Sequence, residues 1–330
     1  MGNQSDDTVL VFTPPLREAL RYAEQHRGHR LSEREVLEVR DRSPCIVMER
    51  SRADAQSAEE GADFDPEQAW AEYQATDFGV DARHVLCAVG NWKTFEAVDA
   101  LAERFGFEVD HEFSQLTPDA AMGRAFDVSF DRVSLSVTPE DREAIAAHTA
   151  VAYVLSPHVT KKNAGKVALK TLQLVEALFA AGAVGIKNES AGIAHGRERW
   201  LELAAGAQSD KAVGAELYFA FVRRPLKSAD GVFYTCGLHL LGEADVQISD
   251  SLEPFEAVSW LDALALYLVC ERPPRGVHPG NTFVRTPTDA KRVMRFLPCR
   301  EYENDDFFFN PWGYVRLEPS LVPGAPGHQE

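Results

Sequence analysis

The feature that most constrains this chain is a strand, helix, strand run in its middle. VAYVLS (Val151–Ser156) is apolar enough for a buried strand, and AVGIKNE (Ala183–Glu189) reads the same way. Between them, Asn163 opens a helical stretch whose Val167, Thr171, Leu174, Val175, Leu178 and Phe179 fall on one stripe, and Gly182 stops it. A strand, a crossover helix and a second strand predict a right-handed parallel β-α-β unit with the two strands side by side. Ligands of such units collect beyond the carboxyl ends of the strands.

The flanking rhythm extends the pattern. RHVLCAV (Arg83–Val89) has five apolar residues in seven, and a helix from about Lys93 to Phe105 ends at Gly106. FEVDHEF, RAFDVSF and VSLSV alternate with period two, Pro139 opens the helix PEDREAIAAH, and VAYVLS closes the series. The fold class expected is α+β, with two sheet-and-helix units. The first is ferredoxin-like (βαββαβ) over 79–148, closed by the strand 149–156, and the second covers 149–320. In the second unit, AELYFAFVRR and GVFYTCGLHLL predict an antiparallel hairpin, followed by a helix from about Val258 to Cys270 and late strands near Phe283 and Met294.

Residues 1–78 predict an N-terminal helical segment. Its first helix starts near Pro15 and ends at Gly28, and a second is opened by the capping box Ser32/Glu35. CIVME (Cys45–Glu49) reads as a short strand, residues 50–65 as a surface helix and loop, and Asp65-Pro66 as the start of a further helix. Residues 321–330 predict a disordered tail.

Length and charge bound the function. At 330 residues, 45% hydrophobic, the chain can bury its cores without metal or disulfide staples. Its 34 basic and 51 acidic residues leave a net charge of −17, a field that repels nucleic acid and anionic membranes and attracts basic proteins. Five scattered cysteines without a CxxC pair, and an N-terminus with neither a basic flank nor a long apolar stretch, fit a cytoplasmic protein. No apolar run reaches the roughly twenty residues of a membrane span.

The polar residues after the two central strands are the candidate site: Lys187, Glu189, Ser190 and His195 after the second, and His158 with Ser156 after the first. A carboxylate beside an imidazole can fix its tautomer and raise its basicity, as a general base requires. The same residues also suit a plain strand end, where Lys and Glu ordinarily sit in cross-strand pairs. CGLH (Cys236–His239) has the spacing of half a zinc site, but on an extended strand the two side chains diverge. GxSxG, GxxxxGK[ST], HExxH and GxGxxG are all absent, so no cofactor or metal is expected. DDFFFNPWGYVRL (Asp305–Leu317) reads as an aromatic seal on the core, with Arg316 near Asp305 and Asp306.

Three segments carry a resemblance: KNESAG with His195 and Trp200 downstream, CGLHLLG, and NPWGYVRL. Together they resemble the marker segments of the bacterial domain-of-unknown-function family numbered 4261, over roughly Thr149 to Leu317. Leu238 and the aromatic order around Trp312 depart from that pattern. The resemblance implies a bacterial, cytosolic α+β domain, in some genomes encoded beside toxin and immunity systems, and it carries over no catalytic residue. The expected function is therefore a non-enzymatic binding protein, an immunity or antitoxin-like factor whose acidic surface meets a basic protein toxin or effector. The alternative is a small-molecule enzyme or sensor using the strand-end residues around Glu189 and His195. Oligomeric state is left open.

Overall fold

The computed structural model describes residues 8–13, 15–27, 30–53, 63–76, 82–208, 213–273, 276–297, 299–303 and 306–320. Gly28, residues 54–62, Asp305 and the tail 321–330 lie outside the described residues. The chain is mixed α+β and divides by its contacts into residues 1–78 and 79–330. Residues 79–330 are one body, so the boundary expected near 148 is not there.

The first body is not purely helical. TVLVF forms β1 (Thr8–Phe12), which pairs antiparallel with β2 (Cys45–Glu49), the strand expected from CIVME. Helices α1 (Leu16–Arg27), α2 (Glu33–Arg42) and α3 (Ala69–Ala75) complete it. The start of α1 is capped from a distance: the Asp63 carboxylate accepts the Leu16 and Arg17 amides at 2.7 and 2.8 Å. The capping box of α2 forms, with the Ser32 amide donating to Glu35 at 2.8 Å. Phe12, Leu16, Leu20, Leu31, Val36, Phe64 and Tyr73 fill the core. Buried Tyr73 spends its hydroxyl on the Leu31 amide and on Glu24.

The second body holds two sheets. The first is built from β3 (Val85–Gly90), β4 (Glu108–Val109), β5 (Ala150–Leu155), β6 (Ala183–Asn188) and β7 (Ile193–Ala194), in the order β4-β5-β3-β6-β7, every neighbour antiparallel. VLCAVG is buried throughout, which is why β3 takes the centre. β5 and β6 do run in the same direction, but they are not adjacent, because β3 lies between them. The helix joining them, α7 (Ala164–Ala180), therefore crosses over β3.

The expected βαββαβ series over 79–156 fails in three places. RAFDVSF is not a strand but part of α5 (Met122–Ser129), whose Met122 and Phe126 recur at helical spacing and face the sheet. VSLSV forms no strand, and its Leu135 is 83% exposed. FEVDHEF keeps two strand residues, because the Asp110 carboxylate accepts the Glu112 and Phe113 amides and turns the chain. α5 and α6 (Pro139–Ala146) cover one face of the sheet with Cys87, Val89, Val151 and Ile145. α4 (Glu96–Phe105), α7 and α8 (Arg197–Gly206) cover the other with Leu86, Ala88, Ala152 and Ile186.

AELYFAFVRR is likewise mostly helical, as α9 (Val213–Phe221), because Leu217, Tyr218, Ala220 and Phe221 bury a helical face. The hairpin starts only at β8 (Arg223–Lys227) and returns as β9 (Val232–Cys236). With β10 (Asp245–Ser249), β11 (Thr282–Phe283), β12 (Arg292–Leu297) and β13 (Tyr314–Pro319) they form a second sheet ordered β11-β12-β13-β10-β9-β8. Only the β10/β13 pair is parallel. α10 (Pro254–Leu266) lies on its inner face, where Val246, Ile248, Val315 and Leu317 join the apolar cluster of α7, α8 and the first sheet. Burying these faces together makes one continuous core, the reason residues 79–330 act as one body.

Candidate functional site

β5 and β6 end at the same edge of the first sheet, with the start of β3 between them. Two serines bind that start in place. Ser156 Oγ accepts the His84 amide at 2.9 Å, and Ser190 Oγ accepts the Val85 amide at 3.1 Å while donating to the Arg83 carbonyl at 2.6 Å. Both hydroxyls thus satisfy backbone groups of a strand that enters the core.

Alternation along β6 then separates the other candidates. Lys187 and Glu189 turn toward α5, where their ion pair closes at 2.8 Å and the ammonium lies 5.9 Å from the Phe126 ring centre. Cys87 stands between Lys187 and Tyr153 in register. Burial, reinforced by Glu189, pushes its thiol up to about 12, so at neutral pH it is no thiolate nucleophile. His195 lies on the opposite side, buried edge-on against Trp200 at 4.7 Å, with Nε2 donating to the Ala220 carbonyl at 3.2 Å and Nδ1 unpartnered. Burial lowers its pKa to about 4, although Asp131 opposes the shift. His158 is exposed, and its carbonyl accepts from Asn163 at 2.9 Å. Among the six candidates, hydrogen bonds and ion pairs connect only Lys187 with Glu189.

What the structure does assemble is a buried polar cluster that the sequence reading did not single out. His84 immediately precedes β3, fully buried, and Asn188 on β6 donates to its Nδ1 at 3.0 Å, so the neutral ring carries its proton on Nε2. Among the described residues, Asn188 Oδ1 and both ring nitrogens of His239 have no hydrogen-bond partner, and the Leu240 backbone faces the His84 ring. Burial, with His239 nearby, lowers the His84 pKa to about 3.

His239 arrives by a sharp local turn. GVFYTCGLHLL is not extended throughout: β9 ends at Cys236, Gly237 takes φ 125°, and Leu238–Leu241 form a 3-10 turn. A Cβ on Gly237 would stand 2.1 Å from the Phe221 carbonyl oxygen and 3.1 Å from the Ala191 Cβ, so only glycine allows the approach. Cys236 packs with Tyr234, Cys299, Phe309 and Tyr314. Among the described residues, no three His, Cys, Asp or Glu side chains are placed to hold a metal ion.

Asp245 anchors the neighbouring part of the cluster. Its Oδ1 accepts Thr235 Oγ1 at 2.7 Å and the Leu238 amide at 3.2 Å; its Oδ2 accepts Asn310 Nδ2 at 2.7 Å and lies 4.0 Å from His239 Nδ1. Asn310 in turn orders the final strand by accepting the Trp312 amide at 2.9 Å. KNESAG, CGLHLLG and NPWGYVRL, far apart in the chain, therefore meet in one buried place. A second buried network lies beside His195: Arg224 binds Asp262 at 2.8 Å and Asp131 at 3.5 Å, and Tyr218 donates to Asp262 at 2.7 Å. Burial works against the Arg224 charge, but Tyr218, Asp262 and Asp131 outweigh it and raise its pKa.

No helix among the described residues is long and apolar enough to cross a membrane. The chain matches no family model, no curated protein and no solved structure.

Proposed function

We propose that this chain is a non-enzymatic binding protein that engages a basic protein partner. The observation that carries the reading is an acidic edge on the first sheet. From Lys93 to Glu112 six carboxylates (Glu96, Asp99, Glu103, Glu108, Asp110, Glu112) face two Lys or Arg residues, and β4 is the outermost strand there. Glu96, Glu103 and Glu112 are exposed, and Phe113, 66% exposed, adds an apolar contact beside them. The exposed carboxylates of α4 and of the chain just after β4 select a cationic partner and speed its arrival, and the edge strand β4 offers unpaired backbone groups beside them. The competing reading, chemistry at Glu189 and His195, is disfavoured by Lys187 holding the carboxylate and by the imidazole lying enclosed on the other side of the sheet.

The finer proposal is an immunity or antitoxin-like factor of the bacterial cytoplasm, kin to the family that the three segments resemble. Co-expression with each basic product of the neighbouring genes tests it. The expected result is a complex stable to gel filtration, weakened at least tenfold by the triple variant Glu96→Lys, Glu103→Lys, Glu112→Lys. Neither complex nor protection of the host cell would reject the proposal.

A further inference from the structure

The outer face of the second sheet, opposite α10, carries a cavity of about 210 Å³. Among the described residues it is lined by Gln247 and Arg316 at the base, Tyr314 and Leu297 on the sides, and Arg300, Glu301 and Asp230 around the mouth. Gln247 and Arg316 are direct neighbours in the β10/β13 register, so their side chains rise from the same face.

Arg316 Nε and Nη2 both donate to Gln247 Oε1, at 3.0 and 2.8 Å. Two donors on one oxygen fix the amide orientation: the oxygen faces the guanidinium and Nε2 faces away. Gln247 is 2% exposed, and among the described residues neither its Nε2 nor Arg316 Nη1 makes a hydrogen bond. The expected partner of Arg316, Asp306, instead accepts the Phe308 amide. Arg300 has no carboxylate partner among the described residues, in a chain where carboxylates outnumber Lys and Arg by 51 to 34. Two guanidinium groups without a carboxylate partner among the described residues, in so acidic a protein and beside an amide Nε2 left open to the cavity, point to an anionic guest.

The mouth has the opposite character. Among the described residues the Glu301 and Asp230 carboxylates take part in no ion pair, and they would repel a plain anion unless it also carried a positive group. A cavity of about 210 Å³ suits a small molecule better than a folded segment. We propose that this cavity binds a small zwitterion of the α-amino-acid class, its carboxylate on Arg316, Gln247 and Arg300 and its ammonium toward Glu301 and Asp230. The inference is independent of the basic protein partner, whose site lies on the other sheet.

Isothermal titration calorimetry of the full chain against a set of L-amino acids, with acetate and inorganic phosphate as comparators, tests it. One or more amino acids should bind with a dissociation constant below about 1 mM, and acetate and phosphate at least tenfold more weakly. Arg316→Gln should abolish binding. Because that change could disturb the sheet, Arg300→Ala and Asp230→Asn at the exposed mouth provide the second arm, each expected to weaken binding at least fivefold with an unchanged melting temperature. Absence of heat with every amino acid, equal or tighter binding of phosphate or acetate, or full affinity in both mouth variants would each overturn the proposal.

Discussion

Lowering the pH should unfold residues 79–330 through their buried histidines, and His84 is the clearest lever. Its folded pKa is lowered from 6.5 to about 3, by burial first and by His239 second. A group whose neutral form is favoured by folding binds its proton more readily in the unfolded chain. Stability is therefore complete above about pH 6.5, falls as pH drops below that value, and stops falling near pH 3. Each unit of separation is worth about 1.4 kcal/mol, so His84 accounts for a loss on the order of 5 kcal/mol across the whole window and roughly half that by pH 4.5. That full loss is comparable with the entire stability of many domains, roughly 5–15 kcal/mol. Urea unfolding of the wild type and of His84→Gln, at half-unit steps from pH 7 to 4, reads the effect. The glutamine keeps an acceptor for Asn188 but cannot take a proton, so the variant should start somewhat less stable at pH 7. Its decline toward pH 4.5 should be shallower by about one proton's worth of slope. Parallel curves, or a His84 ring resonance titrating near 6.5 in the folded protein, would refute the reasoning.

Other expectations follow from the same geometry. His195, lowered to about 4, should add a second acid-sensitive step in the same direction, and its titration should be visible in the fluorescence of the Trp200 against which it lies. Gly237→Ala should cost at least about 3 kcal/mol in urea unfolding, since it combines a disallowed φ with a carbonyl clash; a loss under about 1 kcal/mol would show that the close approach is wrong. Arg224→Met strands Asp131 in the interior and should lower stability by about 3–5 kcal/mol, a marked drop in melting temperature, whereas an unchanged melting curve would contradict the buried pairing. Thiol titration of the folded chain should find exposed Cys45 and Cys270 reactive and Cys87, Cys236 and Cys299 protected until denaturant is added.

How far the sequence reaches can be judged element by element. Long amphipathic stretches declare themselves: the stripe of Val167, Leu174, Val175 and Leu178 is the observed helix, and Ser32 with Glu35 opens the next, because periodicity and capping are local properties. Short runs do not. RAFDVSF and AELYFAF satisfy a two-residue alternation as loosely as a helical spacing, and the sheets on which they pack decided for helix. The ion pair of Lys187 with Glu189 lies along one strand face, not across strands as the strand-end reading expected.

The buried cluster was not legible. His84 and Asn188 are 104 residues apart, and nothing in RHVLCAV marks its histidine as inward rather than terminal. Asp245 and Asn310 are 65 apart. The pairing of cavity residues Gln247 and Arg316, 69 residues apart, is equally invisible along the chain. The sequence by itself determined an acidic α+β chain, its main helices and most of its core strands, since these follow from charge and from hydrophobic period. Strand order was decided only in three dimensions. Alternation along β6 and β7 sent Lys187 with Glu189 and His195 to different sides of the sheet, and the insertion of β3 between β5 and β6 brought His84, Asn188 and His239 together instead. That choice depends on which apolar faces bury most completely against one another, a property of the whole packed core and of no single segment.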